Sequence, residues 1–375
     1  MDRVSVNEIG PRDEPRGMLA SLIGIVGRLF VSLIVPLIAF FVFWRGFIFL
    51  RDTNAPKLVV VGIAILWGVG GVAMLFLLTN WLIEKLPHAW TARLRPFVFV
   101  GPALAILGWY LLLPALRSLY LSFYNANSTQ FVGLANYVFA FTNPEMLISF
   151  RNNLMWIVLG TGFSVLFGLL IAVLADRTRF EVLYKGLIFL PMAISFVGAS
   201  VIWRFIYAYQ PPGRPQIGLL NHILTLFGND PIAVLTIRPW NNLALIAILV
   251  WLQTGFAMVL LSAAVKGVPR ELLEAARIDG ANEFQVFLRV IVPYIRGTII
   301  TVTTTIVIMT LKIFDIVFVM TNGNLGTEVI ASRMYKEMFR FRDFGRGSAI
   351  AIVLLVAVLP VMWYNLSRFR EEETF

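Results

Sequence analysis

Long apolar runs alternate with short polar segments along most of the chain. A helix that crosses a lipid bilayer needs about 20 consecutive, mostly apolar residues. Eight segments meet this requirement, at residues 23–44, 58–83, 97–121, 154–174, 187–207, 243–265, 297–320 and 348–366. The first run is too long for a cleavable signal peptide, and no small-residue cleavage site follows it. The pattern therefore predicts an all-α polytopic membrane protein with eight transmembrane helices.

The composition supports a membrane protein. Of the 375 residues, 59% are hydrophobic and 14% are charged, whereas soluble domains average roughly 45–50% apolar and about 25% charged. The chain has no cysteine and two histidines, which excludes a disulfide scaffold, a thiolate metal site and a centre built from several histidines. The net charge of +10 comes from dispersed residues, which is typical of cytoplasmic loops rather than of a nucleic-acid-binding surface.

The distribution of Lys and Arg predicts the orientation. Loops rich in these residues tend to stay in the cytoplasm, and their counts favour an arrangement with both termini cytoplasmic. The segment 328–344 is an exception to this rule, because it is rich in basic residues but falls on the outer side. Val329, Ile330, Met334, Met338 and Phe341 recur at helical spacing, and the charged residues Arg333, Lys336, Glu337 and Arg340 lie between them. This amphipathic pattern is compatible with a helix that lies flat at the membrane interface, and the segment stays assigned to the outer side.

The cytoplasmic loop at residues 266–296 has the features of two short helices joined by a tight corner. Pro269 suits the first position of a helix, where its missing N–H is not needed. Gly280 suits the end of that helix because glycine accepts a left-handed backbone. Asn282 is then expected to cap a second helix, with Gln285 three residues further on.

The first of these two helices carries small residues beside carboxylates. Ala275 and Ala276 remove side-chain bulk next to Glu274 and Asp279. Such a patch lets the surface of another protein approach closely, while the charges fix its register. A solvated amphipathic loop without a partner explains the pattern equally well. Arg270 is spaced i,i+4 from Glu274, so the two can pair.

The same loop resembles the EAA loop of binding-protein-dependent ABC importer permeases. The matching positions are Glu274, Ala275, Ala276, Gly280, Val290, Val292 and Pro293, where the family has Ile and Leu at the two valines. In that family the loop forms a coupling helix seated in a cleft of a cytoplasmic ATPase. The resemblance implies an ATPase-coupling site made of Glu274, Ala275, Ala276, Asp279, Gly280 and Pro293. It also implies that Glu274 contacts a basic group of the ATPase and that Gly280 forms the corner.

The likeness extends over residues 97–366. Residues 131–137 resemble the family's outer-loop pattern F-x-G-x-x-N-Y, and further similar segments lie at 189–191, 218–221 and 314–323. The number of spans resembles the maltose-type larger subunit, and residues 251–258 and 320–323 look most like α-glucoside permeases. The resemblance implies the type I ABC importer permease fold. It predicts an N-terminal extension at residues 1–95 with two transmembrane helices, followed by a six-helix core at residues 96–375 that contains the coupling loop 266–296.

The resemblance also predicts function, partners and location. It implies the permease subunit of an ATP-driven importer for a di- or oligosaccharide of the α-glucoside type, in a bacterial inner membrane. The expected partners are a second permease subunit, two ATP-binding cassette subunits and an extracytoplasmic sugar-binding protein, with no nucleic acid. The chain contains no Gly-Lys dipeptide and therefore lacks the phosphate-binding loop of such ATPases. ATP and Mg²⁺ are accordingly expected on the partner ATPase, with no cofactor in this chain.

Polar residues inside the predicted spans are candidate substrate contacts, because they are costly in lipid. Gln253 and Thr310 supply hydrogen-bonding groups, and Phe256 supplies an apolar ring for a sugar to stack on. In the maltose-type family the sugar lies near mid-membrane, at positions matching Gln253, Phe256, Met309 and Thr310. The spacing of Lys312 and Asp315 favours a structural ion pair over a ligand contact.

Two other functions are compatible with a polytopic membrane chain. An ion-driven secondary carrier tends to place ionisable relays near the midplane and to show repeats. Asp315 is the one acid that falls within a predicted span, towards its outer end, and no clear internal repeat is present. A membrane enzyme needs clustered acids or a metal site near a membrane face, and no Asp-x-Asp motif occurs. The carrier is the main alternative to the importer subunit.

Overall fold

The computed structural model describes residues 34, 37–53, 55–84, 88–175 and 179–372. Within these ranges most residues are helical, and the β-structure consists of an isolated antiparallel bridge between Tyr124 and Phe131. The described residues divide into two compact units, one ending at Leu113 and the other beginning at Pro114. Much of the predicted span at 23–44 lies outside the described residues, and those described near its end belong to helix α1, residues 37–52.

The first unit contains three helices with largely exposed apolar side chains. After α1 these are α2 (Lys57–Glu84) and α3 (His88–Leu107), which a π-helical turn at Gly108–Leu112 continues. Phe43 packs edge-on against Trp67 with ring centroids 5.5 Å apart, and Phe76 packs against Phe99 at 5.1 Å. The side chains of α2 are apolar on every face of the helix, as expected of a helix that lies in lipid.

The second unit contains the remaining helices. These are α4 (Leu113–Leu121), α5 (Ala135–Thr142), α6 (Pro144–Met155), α7 (Gly162–Ala175), α8 (Glu181–Phe189), α9 (Phe196–Ile206), α10 (Leu219–Leu226), α11 (Trp240–Lys266), α12 (Arg270–Ile278), α13 (Glu283–Val286), α14 (Val292–Tyr294), α15 (Arg296–Leu311), α16 (Asp315–Met320), α17 (Ile330–Tyr335) and α18 (Phe344–Glu372). Further π-helical turns at Trp156–Thr161, Phe287–Ile291 and Lys336–Arg340 join α6 to α7, connect α13 to α14, and extend α17.

Helix α11 is the central element of this unit. It packs along α7, where small residues allow the two backbones to approach closely. A Cβ atom on Gly168 would lie 2.9 Å from the backbone nitrogen of Met258, which is too close for a side chain. Leu245, Leu249 and Leu261 on α11 are fully buried. Helix α11 therefore contributes residues to two apolar clusters, one around Leu245 and Leu249 and the other around Met258 and Leu261.

Two of the predicted spans are broken rather than continuous. The helix expected at 187–207 ends at Phe189, passes through a 3₁₀ turn containing Pro191, and resumes in α9 after a bend of 104°. Proline lacks the N–H that a continuous helix requires. The span expected at 297–320 divides into α15 and α16, because residues between Leu311 and Asp315 leave the helical conformation.

The number of membrane crossings stays a prediction. Within the described residues, five helices are long and apolar enough to cross a bilayer, or up to seven if each bent helix pair counts as one span. The long ones are Lys57–Trp81, Phe99–Leu121, Pro144–Ala175, Trp240–Lys266 and Phe344–Asn365. The bent pairs are Glu181–Ala193 with Phe196–Ile206 and Glu283–Tyr294 with Arg296–Leu311. The all-α membrane architecture is confirmed.

The charged face that the pattern of segment 328–344 suggested is largely not exposed. Four of its charged residues, Glu328, Arg333, Lys336 and Glu337, are buried inside the fold, while Phe339 and Phe341 are exposed. Lys336 pairs with Glu328, and Arg333 donates to Glu337 at 2.6 Å and also pairs with Glu145 on α6. The periodicity of one segment could not reveal these partners, because one of them lies almost 190 residues earlier in the chain.

Candidate functional site

The predicted coupling loop contains a helix, a corner and a second helix. Helix α12 begins at Arg270, and Pro269 precedes it as the capping residue, one position earlier than expected. The corner glycine, Gly280, has φ +85°, as predicted from its tolerance of left-handed backbone. The N–H of Gly280 donates to Arg277 at 3.1 Å and that of Ala281 donates to Ala276 at 3.0 Å. These two bonds form the Schellman arrangement that ends many helices.

The second helix starts with the predicted cap. The side-chain oxygen of Asn282 accepts from the backbone N–H of Gln285 at 2.9 Å, and the Gln285 side chain accepts from the backbone N–H of Asn282 at 2.9 Å. This reciprocal pair is a capping box. Arg277 and Glu283 add an ion pair of 2.9 Å across the corner, so the two helices are held at a fixed angle.

The outer face of α12 is left open by the part of the chain that the structure describes. Its described residues include none that is buried. Ile278 is 86% exposed, and Leu272, Glu274 and Ala275 are also exposed. Arg270 does not pair with Glu274 in the part of the chain that the structure describes, so the carboxylate of Glu274 points to no internal partner. An exposed apolar and acidic surface on a rigid corner suits contact with another protein.

A polar cluster fixes the membrane end of this loop. Glu181, the first residue of α8, accepts from Lys185 at 2.6 Å and from Lys266 at 2.5 Å. Lys185 also donates to Ser262 on α11. Lys266 is the last residue of α11 and lies four residues before α12. This cluster was not predicted from the sequence, because Glu181 and Lys266 are far apart in the chain.

A glycine extends the contact between α8 and α11 into the membrane. A Cβ atom on Gly255 would lie 2.6 Å from the Ile188 carbonyl oxygen and 2.8 Å from the Phe189 Cα atom. Both distances are below the van der Waals limit, so the position requires glycine. The ion cluster at one end and this close approach at the other make α8 and α11 a single packed unit.

The predicted sugar contacts lie on two neighbouring helices. Gln253 on α11 is buried, and its side-chain amide donates to the sulfur of Met309 on α15 at 3.5 Å. A thioether sulfur is a weak acceptor, so the amide is held without a strong partner. Phe256 lies one turn further along α11 and is partly buried. The structure thus brings Gln253 and Met309 into contact and places Phe256 on the same helix as Gln253.

Thr310 is placed differently from the other three candidates. Its side chain is fully buried, and its hydroxyl donates to the Ile306 carbonyl at 2.8 Å.

Lys312 and Asp315 also differ from expectation, because no ion pair joins them among the described residues. The chain leaves the helix between Leu311 and Asp315, so i,i+3 spacing does not bring their side chains together.

A cavity of about 630 Å³ lies beside α11 but is not suited to a sugar. Its lining is almost entirely apolar and comes from α7, α8 and α11, with Phe163, Phe167, Leu187 and Trp251 among the larger side chains. Thr254 also lines it, but its hydroxyl donates to Val250 of its own helix at 2.7 Å. A sugar needs several free hydrogen-bonding groups, which this lining lacks.

Paired asparagines organise the opposite end of the unit. Asn152 donates to the carbonyls of Gly326 and Glu328 at 2.8 and 2.7 Å, and Asn153 donates to the last carbonyl of α15, at Leu311, at 3.0 Å. Asn241 donates to Leu325 at 3.0 Å. A structural role for these asparagines was not predicted from the sequence. Their position at the ends of apolar runs is a signal that could have identified them, since buried amides need partners.

The chain matches known proteins over most of its length. A family model described as "Binding-protein-dependent transport system inner membrane component" matches residues 164–366. The chain is 61% identical over 276 residues to the osmoprotective compounds uptake permease protein GgtC of Synechocystis sp., covering 74% of this chain and 99% of GgtC. It is 49% identical over 280 residues to the alpha-glucoside transport system permease protein AglF of Rhizobium meliloti, covering 74% of this chain and 83% of AglF.

The fold also has a solved counterpart. A chain of a bacterial ABC transporter involved in the import of the acidic polysaccharide alginate superposes with a TM-score of 0.65 at 20% sequence identity. The match covers 76% of this chain and 99% of that one. This likeness shows the type I ABC importer permease fold that the EAA-like loop predicted.

The bent apolar helices and the exposed corner between α11 and α15 define a multi-pass permease of the ABC importer class. The chain belongs to the binding-protein-dependent transport system inner membrane component family. It is therefore a membrane transport subunit and not itself an enzyme. The comparisons give no support to an ion-driven carrier.

Proposed function

We propose that this chain is the permease subunit of an importer for α-glucosides. The observation that carries the sugar class is the 49% identity with AglF over 74% of this chain. The similarity to GgtC widens the class to α-glucosides that also serve as osmoprotectants, for which sucrose and trehalose are suitable probes. The buried Gln253 amide, with a weak sulfur partner, is consistent with a neutral polyhydroxylated solute.

The substrate contact is proposed at Gln253, Phe256, Met309 and Thr310. Sugar hydroxyls would compete well with a thioether for the Gln253 amide, because oxygen is the stronger acceptor. Phe256 would offer an apolar ring to a sugar face. Thr310 would contribute only if its hydroxyl accepts a hydrogen bond while it continues to donate to Ile306.

Coupling to an ATPase is proposed at α12 and the corner after it. Glu274, Ala275, Ala276, Asp279 and Gly280 would form the contact surface, with Pro293 ending the second helix. ATP and Mg²⁺ would be held by the partner ATPase. Movement of α12 would reach the membrane through α11, and α8 would follow because Glu181 joins it to Lys266. Such coupling needs two states that each partner favours differently.

The assembly is proposed to contain a second permease, two ATP-binding cassette subunits and an extracytoplasmic sugar-binding protein. Eight spans with both termini cytoplasmic would place α12 on the ATPase side. Residues 1–95 would form the two-helix extension and residues 96–375 the permease core. The match to GgtC spans 74% of this chain, which is consistent with an extra segment beyond a shared core.

Uptake into proteoliposomes tests the proposed substrate. The complete importer, with its binding protein outside and ATP inside, is expected to accumulate labelled sucrose or trehalose, and unlabelled α-glucosides should compete. A β-glucoside such as cellobiose is the matched control. Competition by cellobiose as strong as that by trehalose would contradict the α-glucoside class. Uptake that a proton ionophore abolishes while ATP is maintained would contradict ATP-driven import.

A further inference from the structure

Helix α10 presents an apolar stripe that the rest of the described chain does not cover. Leu219, Ile223, Leu226 and Phe227 occupy positions i, i+4, i+7 and i+8, which form one helical face. All four are exposed, Leu226 at 70% and Phe227 at 80%. The exposed polar residues His222 and Thr225 form the adjacent face. Helix α10 is therefore amphipathic on its outward side.

The opposite face of α10 fixes its position beside the ends of two spans. Asn221 is fully buried and donates to the carbonyl of Ala208, two residues after α9 ends, at 3.0 Å. Its side-chain oxygen accepts from the N–H of Ile232 at 2.8 Å. Gly218 packs so tightly on Ala208 that a Cβ atom would overlap the Ala208 carbonyl. These contacts hold α10 at the level where α9 and α11 meet the membrane surface.

The surroundings of α10 match the chemistry of a lipid interface. Tyr209 and Trp240, just beyond α9 and at the start of α11, are 40% and 60% exposed. These are residue types enriched at the boundary between headgroups and acyl chains. Residues 216–229 contain no Asp, Glu, Lys or Arg, so the stripe can enter that boundary without burying a charge.

We propose that α10 is a surface helix whose stripe of Leu219, Ile223, Leu226 and Phe227 inserts into the lipid interface on the side opposite the coupling loop. Interfacial helices of this kind bury their apolar face about 5–10 Å into the boundary between headgroups and acyl chains. The partner is the bilayer, and His222 and Thr225 face the water. This role is independent of which sugar is imported.

Spin labelling tests this assignment directly. The chain has no cysteine, so single substitutions Leu226→Cys and Phe227→Cys can be labelled with a nitroxide in the assembled importer, with its partner subunits made cysteine-free. His222→Cys and Thr225→Cys are matched controls on the polar face. In proteoliposomes, the ratio of accessibility to oxygen over accessibility to a water-soluble nickel chelate is expected to be several-fold higher at the two stripe positions, with or without the binding protein.

Three results would overturn the proposal. Equal ratios on both faces would mean that the stripe is exposed to water. Protection from both reagents at Leu226→Cys and Phe227→Cys would mean that another subunit covers the stripe. Loss of oxygen access only after the binding protein is added would identify that protein as the occupant.

Discussion

Glu181 and Lys266 form an ion pair of 2.5 Å that joins the first residue of α8 to the last residue of α11. Lys185 donates to the same carboxylate at 2.6 Å and also donates to Ser262. Two contacts, Glu181 with Lys266 and Lys185 with Ser262, therefore tie α8 to α11 immediately before the predicted coupling loop. A displacement of α12 by the ATPase would move both helices, because α11 cannot slide past α8 without separating these charges.

The substitution Glu181→Gln is expected to weaken this connection. It removes the negative charge that Lys185 and Lys266 share, and with it the ion pair that joins α8 to α11. The purified complex should melt at a lower temperature and import less sugar per ATP hydrolysed. Asp52→Asn is the control, because its pair with Arg51 is more than half exposed on both sides and such pairs contribute little. If the melting temperature falls but the amount of sugar imported per ATP hydrolysed is unchanged, the cluster stabilises the fold and has no role in coupling.

The corner after α12 should depend on backbone conformation at Gly280. At φ +85° a proline cannot be accommodated, and Gly280→Pro also removes the N–H that donates to Arg277. Sugar uptake should fall sharply at normal expression. Asparagine tolerates left-handed backbone, and a Cβ atom at this position meets no neighbour within 4 Å, so Gly280→Asn should retain most uptake. Full uptake by the proline variant would exclude a coupling role for the corner.

Local signals in the sequence predicted the conformation of the corner in loop 266–296 well, whereas its coupling role stays a prediction. Gly280 and Asn282 each specify a conformation through their own chemistry, so the corner and the capping box follow from adjacent residues. Helix boundaries within the spans were less predictable. The breaks at Pro191 and after Leu311 depend on how α8, α9 and α15 pack, and apolar composition alone does not distinguish a broken span from a continuous one.

Long-range polar contacts were not predictable from one segment. The charges of Arg333 and Lys336 indicated an exposed amphipathic helix, but Glu337 and Glu328 supply buried counter-charges, and the exposed Glu145 also pairs with Arg333. The asparagines at 152–153 and 241–242 likewise bond to backbone groups far along the chain. Periodicity reports which face is apolar, whereas pairing in three dimensions decides whether a charged face is exposed.

Glu274 should matter for coupling and not for folding. Its side chain is exposed and makes no ion pair with the described residues, so Glu274→Gln should change the free energy of unfolding by no more than about 0.5 kcal/mol. ATP-dependent uptake should nevertheless decrease, because the ATPase would lose its charged contact. Glu271→Gln, also exposed on α12, is the matched control. Equal loss of uptake in both variants would point to a general charge effect rather than a specific contact.

Lys336 and Glu328 form a buried ion pair, and removing one of the two residues should destabilise the fold more than removing both. Lys336→Met leaves the carboxylate of Glu328 buried without its counter-charge, which typically costs about 3–5 kcal/mol. Thermal unfolding of the purified permease should show a large decrease in stability. The double variant Lys336→Met/Glu328→Gln should recover much of it, because no unpaired charge remains. Additive losses in the double variant would mean that the two residues act independently.

Gln253 should affect substrate use without affecting the fold, because its amide donates to the weak acceptor sulfur of Met309. A neutral hydrogen bond contributes about 1 kcal/mol, or about fivefold in affinity. Gln253→Leu should therefore raise the sugar concentration that half-saturates uptake or ATP hydrolysis by about that factor, while the melting temperature stays constant. Thr254→Val is the control, since its hydroxyl bonds to its own helix at Val250. If both variants leave the sugar dependence unchanged, the solute passes elsewhere. If both shift it equally, the effect comes from α11 packing rather than from a hydrogen bond to the sugar.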